Sequence, residues 1–275
     1  MPNSQPVSNV LEQFRLDGRV AFITGAAGHL GRPMAEALAS AGAHVVLNGR
    51  RCEPLDVLAA EITSRGQSAS VACFDITQHE SVQNCVAEIE KKYKRLDILV
   101  NNASVGRAAT LETASIADFD DLYRVSVTAA FDLIQSFLPL LKAAARENLG
   151  GASVINISSM YGVVSPDPAI YGTSGANNPP YYGAAKAGLI QLTRYAACHL
   201  APEKIRVNCI SPGPFPADHY LQRDPAFHDQ LKRKNPMHRT GQPAELQGPL
   251  LFLASDASSY VTGINMAVDG GWTAW

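Results

Sequence analysis

The chain of 275 residues has no excess of basic side chains and no long run of apolar residues. Its 23 Lys and Arg face 25 Asp and Glu, giving a formal charge of -2, whereas nucleic-acid-binding domains carry a basic surface. A membrane-spanning helix needs about 20 mostly apolar residues, and the first residues have neither the basic start nor the apolar core of a signal peptide. We therefore expect a cytoplasmic protein with neither nucleic acid nor a membrane as its partner.

The cysteines are few and follow no metal-ligand or redox spacing. They are odd in number, form no Cys-x-x-Cys pair, and are Cys52, Cys73, Cys85, Cys198 and Cys209. Such scattered residues are typical of small structural thiols in a reduced compartment. The seven histidines show no His-x-x-His spacing, so we expect no metal site.

The chain does contain apolar material in short runs. Hydrophobic residues make up 46% and charged residues 17%, which is typical of a folded globular chain. Short runs rich in β-branched residues alternate with helical stretches; the runs are Val20–Thr24, Val45–Leu47, Ser70–Phe74, Leu96–Val100, Ser153–Ile157, Ile205–Ile210 and Ile264–Val268. This alternation predicts an α/β fold, a doubly wound, Rossmann-like parallel sheet of seven strands with helices on both faces.

Helical periodicity is clearest in three of the segments between these runs. Apolar residues recur at steps of three or four from Leu122 to Leu140, and a second stripe runs from Tyr181 to Leu200. A third helix is predicted over Ala244–Ala254. Each segment connects predicted strands, so we expect these helices to cover the sheet.

The alternation continues without a linker or repeat and predicts a single domain over residues 18–275. Residues 1–17 are polar and carry two prolines, so we expect a flexible N-terminal tail. Residues 213–240 are rich in Pro, His and basic side chains and lack clean periodicity. Because long loops at the end of such a sheet commonly cover a ligand, we interpret this segment as a substrate lid.

A glycine-rich segment joins the first predicted strand to a helical sequence. It reads Thr24-Gly-Ala-Ala-Gly-His-Leu-Gly31 and runs directly into Arg32–Ser40. Glycines at this place let the backbone turn tightly and approach a pyrophosphate, whose charge is met by the helix N-terminus. The segment therefore predicts dinucleotide binding.

The same segment resembles the Thr-Gly-x-x-x-Gly-x-Gly turn of the short-chain dehydrogenase/reductase family, except that His29 stands at the middle glycine. Similar motifs follow in the family's order: Asp75-Ile76, Asn101-Asn-Ala103, Pro212-Gly213 and Val268-Asp-Gly-Gly271. The resemblance covers residues 16–272 and implies an NAD(P)-dependent oxidoreductase that interconverts a carbonyl and a secondary alcohol by hydride transfer. The cofactor contacts that it implies in these motifs are Gly25, Gly28, His29, Leu30, Gly31, Asp75, Ile76, Asn102, Ala103, Pro212, Gly213 and Phe215.

The end of the second predicted strand bears on the choice of cofactor. A site selective for NAD usually places a carboxylate there, about 20 residues past the glycine turn. This chain has Leu47-Asn-Gly-Arg50-Arg51, with two guanidinium groups and no acid. Because arginine matches a phosphate in geometry and charge, we predict NADP as the preferred cofactor and Arg50 as its contact, with NAD as the alternative.

Tyr182-Gly-Ala-Ala-Lys186 places a phenol and an ammonium four residues apart on one helix face, whereas Tyr181 faces elsewhere. The ordinary pKa of a phenol is about 10, so it acts as an acid or base near neutrality where positive charge favours its anion. The resemblance implies that Tyr182 transfers the proton and that Ser159 polarises the substrate oxygen. It also implies that Lys186 holds the nicotinamide ribose, so Tyr182 and Lys186 count among the cofactor contacts.

Two features depart from the family pattern. Ser126 stands where the family usually has a catalytic asparagine that orients a water, and its hydroxyl can still bind water. Ser159 and Tyr182 are 23 residues apart, farther than in the family, so Ser165 and Ser174 stay open as the polarising serine. The extra residues over 167–180 carry neutral hydrogen-bonding groups, which suggest a hydroxylated, sugar-like small molecule as the substrate.

Other functions are compatible with the same fold. A catalytically impaired dinucleotide-binding sensor or scaffold is the alternative, supported by His29 and Ser126. An epimerase or dehydratase is a second one, although the Val-Asp-Gly-Gly ending is more similar to simple dehydrogenases. The resemblance also implies a homo-oligomer, a tetramer or dimer formed by the two long helices and the final strand.

Overall fold

The computed structural model describes residues 9–172, 177–217 and 224–275. Seven strands form one sheet in the order β3-β2-β1-β4-β5-β6-β7, and each neighbouring pair is parallel. The strands are β1 (Val20–Ile23), β2 (His44–Gly49), β3 (Ser68–Cys73), β4 (Ile98–Asn101), β5 (Ala152–Ile157), β6 (Ile205–Pro212) and β7 (Asn265–Val268). The strand order reverses between β1 and β4, so the predicted doubly wound parallel sheet is confirmed.

The strands are mostly apolar because both faces of the sheet are covered. Every residue of β1, β4, β5 and β6 is buried. The edge strands β3 and β7 are less buried. Parallel strands that are covered on both faces need apolar side chains at successive positions, which is the pattern that the sequence shows.

The helices include the three that the sequence predicts. They are α1 (Gly31–Ser40), α2 (Cys52–Ser64), α3 (His79–Tyr93), α4 (Ile116–Tyr123), α5 (Ala129–Glu147), α6 (Pro180–Leu200), α7 (Pro225–Lys234) and α8 (Gln247–Ala254). A π-helical turn, Arg124–Thr128, joins α4 to α5 and widens the long helix predicted from Leu122 to Leu140. A 3-10 turn, Pro243–Leu246, precedes α8, so the third predicted segment is α-helical only in its C-terminal part.

Two apolar clusters fill the space between the sheet and the helices. On one face Phe22 packs on Phe137 of α5, with ring centroids 5.1 Å apart. On the other face Ile23 belongs to the cluster that includes Leu38 of α1 and Leu250 of α8. Successive residues of a strand point to opposite faces, and full burial of each large side chain stabilises the fold by about 2 kcal/mol.

Part of the segment expected to be a flexible tail has regular structure. Val10–Phe14 form a 3-10 helix, and Leu16 is fully buried. The Leu16 N–H donates to the carbonyl oxygen of Ala41 at 2.8 Å. The chain is therefore attached to the end of α1 before β1 begins.

By length and composition, the helical stretch Ile116–Glu147 is long and apolar enough to cross a membrane. The sequence did not predict this, because polar residues interrupt its apolar ones. Half of its most apolar part is buried inside the protein. Its C-terminal part, α5, packs on the sheet next to β5. A core helix of a soluble protein passes the same test of length and composition.

The structure corrects the interpretation of the cysteines. Cys52 and Cys73 form a disulfide, with their Cα atoms 5.3 Å apart. The remaining cysteines, Cys85, Cys198 and Cys209, are free thiols. The pair is close because β2 and β3 align Gly49 opposite Cys73, and Cys52 begins α2 directly after β2. Local spacing could not predict it, because the proximity depends on the sheet register.

Candidate active site

The turn between β1 and α1 has a backbone shape that favours glycine. Gly25 has a φ of +62°, in the left-handed region. A Cβ on Gly31 would lie 2.1 Å from the carbonyl oxygen of Gly25, so the turn is closed tightly where α1 begins. Leu30, the N-cap of α1, provides no side-chain cap. The Arg32 N–H donates to the carbonyl oxygen of Gly28 at 3.0 Å and Pro33 has no N–H, so the Gly31 N–H is left at the start of the helix to bind an anion.

Thr24 and Asn102 hold this turn against the end of β4. The fully buried Thr24 Oγ1 accepts hydrogen bonds from the N–H groups of Asn102 and Ala103, both at 2.9 Å. Asn102 Nδ2 donates to the carbonyl oxygens of Thr24 at 2.9 Å and Gly25 at 3.2 Å. The predicted residues Asn102 and Ala103 therefore lie beside the glycine turn, and the contribution of Thr24 was missed by sequence reasoning.

A cavity of about 610 Å³ opens at the carboxyl ends of β1 to β4. The predicted cofactor residues that line it are Gly25, Gly28, His29, Leu30, Gly31, Arg50, Asp75, Ile76, Asn102 and Ala103. Asn48 and Phe74 also line the cavity and were not predicted. Asn48 Nδ2 donates to the carbonyl oxygens of Ala72 at 2.9 Å and Phe74 at 3.3 Å. Their position at strand ends was the available signal, since ligands bind there in such sheets.

One end of the cavity is positively charged. Arg50 and Arg51 line it and are exposed, and they form no ion pair with any residue that the structure describes. Unpaired guanidinium groups at one place and a helix N-terminus at another fit the separate phosphates of NADP. The residues present therefore fit this cofactor. In the same described ranges, no group of three or more His, Cys, Asp or Glu is arranged to hold a metal ion.

His29 links the glycine turn to the segment after β6. Its Nε2 lies 3.1 Å from the carbonyl oxygen of Phe215, and because a carbonyl only accepts, Nε2 is the protonated donor. Pro212, Gly213 and Phe215 are not among the described residues that line the 610 Å³ cavity. Phe215 instead lines a second cavity of about 530 Å³, and its contact with His29 connects the linings of the two cavities.

Ser159, Tyr182 and Lys186 come together at the carboxyl end of β5. Ser159 follows the strand and hydrogen-bonds the Tyr182 hydroxyl, and its Oγ accepts from the Tyr161 N–H at 3.2 Å. Lys186, one turn after Tyr182 on α6, places Nζ 5.6 Å from the centre of the tyrosine ring. The same Nζ donates to the carbonyl oxygen of Ile157 at 2.9 Å. The strand end and the helix thus bring all three side chains to one site.

The neighbours of this set have other partners. Ser158 Oγ donates to the backbone carbonyl of Lys186 at 2.8 Å. Tyr181 Oη donates to the carbonyl oxygen of Arg107 at 2.8 Å, which confirms that Tyr181 faces away from Lys186. Each neighbour therefore serves packing, and each offers a control for the residue beside it.

The two alternative serines differ from Ser159 in position. Ser165 is exposed, whereas Ser159 is buried. Ser174 lies outside the described residues. Among the described serines, Ser159 has the hydrogen bond to Tyr182 that its expected role needs.

Burial controls the titration of the tyrosine and the lysine. It raises the pKa of Tyr182, and the hydrogen bond to Ser159 opposes this shift. Burial also lowers the pKa of Lys186 to about 8, and the nearby Cys209 opposes this shift. The expected lowering of the Tyr182 pKa is thus absent in the chain alone, because the loss of solvation outweighs the hydrogen bond to Ser159. A cationic ring bound beside the phenol would add positive charge and favour its anion.

The pKa of Lys186 leads to a prediction about stability. Between about 8 and the ordinary value of 10.5, the unfolded chain binds more protons at this side chain than the folded chain does. The contribution of Lys186 to the free energy of unfolding therefore rises with pH. Relative to Lys186→Met, the wild type should gain about 1 kcal/mol between pH 7 and pH 9, measured by urea unfolding. A constant difference across this range would show that the lysine titrates near its ordinary pKa.

Ser126 lies in the π-helical turn, which packs against α6. Such widened turns occur frequently at functional sites. Ser126 is buried, and within the described part of the chain its Oγ has no hydrogen-bond partner. An unsatisfied buried hydroxyl is costly, so this group is suited to bind a water or a ligand.

Aromatic side chains that sequence reasoning missed pack around Tyr182. They belong to a cluster of Met160, Tyr161, Ile170, Tyr171, Phe227, Leu231 and Trp272. The Tyr171 ring stacks on Phe227 of α7, with centroids 5.2 Å apart, and Asp167 forms an ion pair with Lys234 at the end of α7. The described start of the extra segment, from Asp167 to Tyr171, is therefore packed against α7 beside the site.

A turn suited to pyrophosphate, next to a strand end that holds a tyrosine–lysine pair, defines the class of protein: an oxidoreductase that binds a nicotinamide dinucleotide. Comparison with known proteins agrees with this class. A family profile described as "Enoyl-(Acyl carrier protein) reductase" matches residues 25–273. The chain belongs to the short-chain dehydrogenase/reductase family.

The relatives carry dehydrogenase and reductase names. Gluconate 5-dehydrogenase of Gluconobacter oxydans (strain 621H) is 37% identical over 264 residues, covering 94% of this chain and 96% of the relative. A 3-oxoacyl-[acyl-carrier-protein] reductase of Thermotoga maritima is 34% identical over 257 residues, covering 94% and 98%. The crystal structure of a gluconate 5-dehydrogenase from Burkholderia cenocepacia J2315 in complex with NADP and tartrate is 35% identical, with a TM-score of 0.87 and coverage of 97% and 100%.

The family membership decides between the enzyme and the non-catalytic alternative. The chain is an NAD(P)-dependent oxidoreductase that acts on a CH–OH group. The serine, tyrosine and lysine of the family pattern lie together in the site. No finding supports the catalytically impaired sensor or scaffold.

Proposed function

We propose that this enzyme uses NADP to oxidise a secondary alcohol of a small polyhydroxylated molecule, and reduces the corresponding ketone in reverse. The observation that carries this proposal is the Ser159–Tyr182–Lys186 set, which lies at the strand end beside a cavity lined by unpaired arginines. When bound, NADP supplies the nicotinamide carbon that accepts or returns the hydride.

The side chains handle the proton and the orientation of the substrate. The Tyr182 hydroxyl takes the proton from the alcohol oxygen, or returns it to the carbonyl oxygen. The Ser159 hydroxyl donates a hydrogen bond to the same oxygen and keeps it near the phenol. The buried ammonium of Lys186 favours the phenolate and would hold the nicotinamide ribose when the cofactor is bound. Ser126 binds the water that exchanges this proton with solvent.

A serine series tests the polarising role. Ser159→Ala is expected to lower kcat by about a hundredfold, since one oriented hydrogen bond to the developing oxyanion is lost. Ser165→Ala is the control, because Ser165 is exposed. Wild-type turnover in Ser159→Ala would assign the role to another serine, and Ser174→Ala would then be measured.

Ser126→Ala separates a functional from a structural role. The Ser126 Oγ bonds to no described residue, so its removal should leave the free energy of unfolding unchanged or raise it. We expect kcat to fall by about tenfold, because the water that exchanges the proton loses an anchor. Unchanged kcat with a loss of stability would show that Ser126 only supports the fold.

The substrate class rests on polar groups near Tyr182. Asn178, four residues before it, has a buried side-chain oxygen that bonds to no described residue. An unsatisfied buried acceptor is suited to bind a substrate hydroxyl. Gluconate, on which the Gluconobacter relative acts by its name, is a polyhydroxylated acid, and the Burkholderia structure is a complex with NADP and tartrate.

A substrate panel tests this assignment directly. Polyhydroxylated acids and polyols would be supplied with NADP, and 3-oxoacyl thioesters with NADPH, while absorbance of the reduced cofactor is followed. We expect turnover of a polyhydroxylated compound with a kcat/KM at least about tenfold above that of any thioester. Faster reduction of a 3-oxoacyl thioester would instead assign a substrate like that of the Thermotoga relative.

The remaining assignments follow from packing and from the family. We propose that residues 213–240 form a lid over the substrate, because α7 packs against Tyr171 and Asp167; residues 218–223 of this segment lie outside the described residues. We also treat residues 18–275 as one domain built on the single sheet. A homotetramer or dimer is proposed, as are a cytoplasmic location and the absence of nucleic-acid or membrane partners. Three free thiols agree with that location, whereas the disulfide departs from a fully reduced chain.

A further inference from the structure

The Cys52–Cys73 disulfide lies at the positively charged end of the cavity. Cys52 is the first residue of α2, directly after Arg50 and Arg51. Cys73 is the last residue of β3, directly before Phe74. The residues adjoining the two cysteines that line the cavity are Arg50, Arg51, Phe74, Asp75 and Ile76. The disulfide therefore joins two chain segments that both line the proposed adenosine end of the site.

The two arginines form a short loop that is attached to β3 at both ends. Before the arginines, the carbonyl oxygen of Gly49 accepts a hydrogen bond from the Phe74 N–H at 3.1 Å. After the arginines, the disulfide attaches Cys52 to β3 covalently. With both attachments present, few backbone arrangements are open to the loop.

Among the described residues, no partner side chain holds the two guanidinium groups in place. Elsewhere around α1 and α2, Arg32 pairs with Glu61 at 2.8 Å and Arg65 with Glu36 at 3.4 Å. Neither arginine of the loop has such a pair within the ranges that the structure describes. Their positions depend on the backbone of the loop, and therefore on its two attachments.

We infer that Cys52 and Cys73 are positioning residues for cofactor binding, and that the oxidised pair holds the loop in place to bind the 2′-phosphate of NADPH. This inference rests on the proposed NADP site. A dithiol reductant breaks the S–S bond by giving two electrons and two protons, so two thiols form and the dithiol becomes a disulfide. Cys52 is exposed and Cys73 is half-buried, so a small dithiol can reach the bond. NADH lacks the 2′-phosphate, and its affinity should depend little on the loop.

The test compares cofactor binding in the two redox states. Cys198→Ser serves as the background, because Cys198 is an exposed free thiol outside the site. The protein would be oxidised with diamide or reduced with dithiothreitol, and the thiols counted by alkylation and intact mass. Titration with NADPH and NADH, followed by cofactor fluorescence, gives the two dissociation constants. Cys52→Ser in the same background supplies a form that cannot close the bond.

Reduction is expected to weaken NADPH binding by about fivefold and to change NADH binding by less than about twofold, because the freed loop must be ordered again on binding the phosphate. Cys52→Ser should bind NADPH as weakly as the reduced protein does, and dithiothreitol should not change its dissociation constant. If that variant fails to fold, the comparison of the oxidised and reduced Cys198→Ser protein still tests the inference.

Three results would overturn the inference: no crosslink after oxidation, equal NADPH affinity in the two states, or equal weakening of NADPH and NADH, which indicates a general structural role. Failure of both cofactors to bind in either state would also remove the proposed NADP site. The two failures can be told apart, because a dinucleotide still binds when only the inference about the disulfide is wrong.

Discussion

Replacing Tyr182 with phenylalanine is expected to lower kcat by about a thousandfold or more while the dissociation constant of NADPH stays within about twofold. The substitution removes the hydroxyl that hydrogen-bonds Ser159 and keeps the ring in its packed position. Proton transfer then has no donor or acceptor at the substrate oxygen. Steady-state turnover of the best substrate from the panel, together with a cofactor titration, measures both quantities.

Tyr181→Phe is the matched control for this prediction. It makes the same chemical change one residue away, where the hydroxyl donates to the Arg107 carbonyl oxygen instead. We expect a loss of about 1 kcal/mol in the free energy of unfolding and nearly unchanged kcat. Retained activity in Tyr182→Phe would contradict the mechanism, and equal losses in both variants would point to packing of α6 rather than to proton transfer.

Arg50→Asp is expected to weaken NADPH binding by about a hundredfold, through loss of charge-assisted hydrogen bonds and repulsion of the 2′-phosphate. The affinity for NADH should stay the same or increase, because a carboxylate at this place can accept hydrogen bonds from the free ribose hydroxyl. The informative quantity is the ratio of the two dissociation constants, obtained by titrating the same protein with each cofactor.

Arg65→Asp provides the same change of charge at the opposite end of α2. Arg65 is the C-cap of this helix and pairs with Glu36 at 3.4 Å, outside the residues that line the cavity. The ratio for this variant should equal that of the wild type. An unaltered ratio in Arg50→Asp would show that Arg50 is a solvated turn residue, and Arg51→Asp would then test its neighbour.

The strands could be predicted because they are buried on both faces. In this setting each strand becomes a short, mostly apolar run, and the predicted runs agree with the observed strands to within two residues at every end. Helices α2 and α3 were not placed individually from the sequence. They bury only three residues each, so their apolar stripes are narrow.

The candidate site was predictable in part. The cofactor residues before and within the first helix, and those after β3 and β4, line one cavity as a set. Asn48, Phe74 and the aromatic residues around Tyr182 were missed. Pro212, Gly213 and Phe215 were expected with the set and do not line this cavity, although Phe215 contacts His29. A motif gives the order of residues along the chain, whereas cavity lining depends on how loops from different strands fold over one edge.

The sequence by itself determined the local features of this protein. Tyr182 and Lys186 share a helix face because residues four apart do so on any α-helix, and the glycine turn follows from backbone freedom within a few residues. Only the tertiary structure decided that Cys52 meets Cys73, that Lys186 is buried with a pKa of about 8, and that the Ser126 hydroxyl bonds to no described residue. These properties come from residues far apart in the chain, which sheet register and helix packing bring into contact.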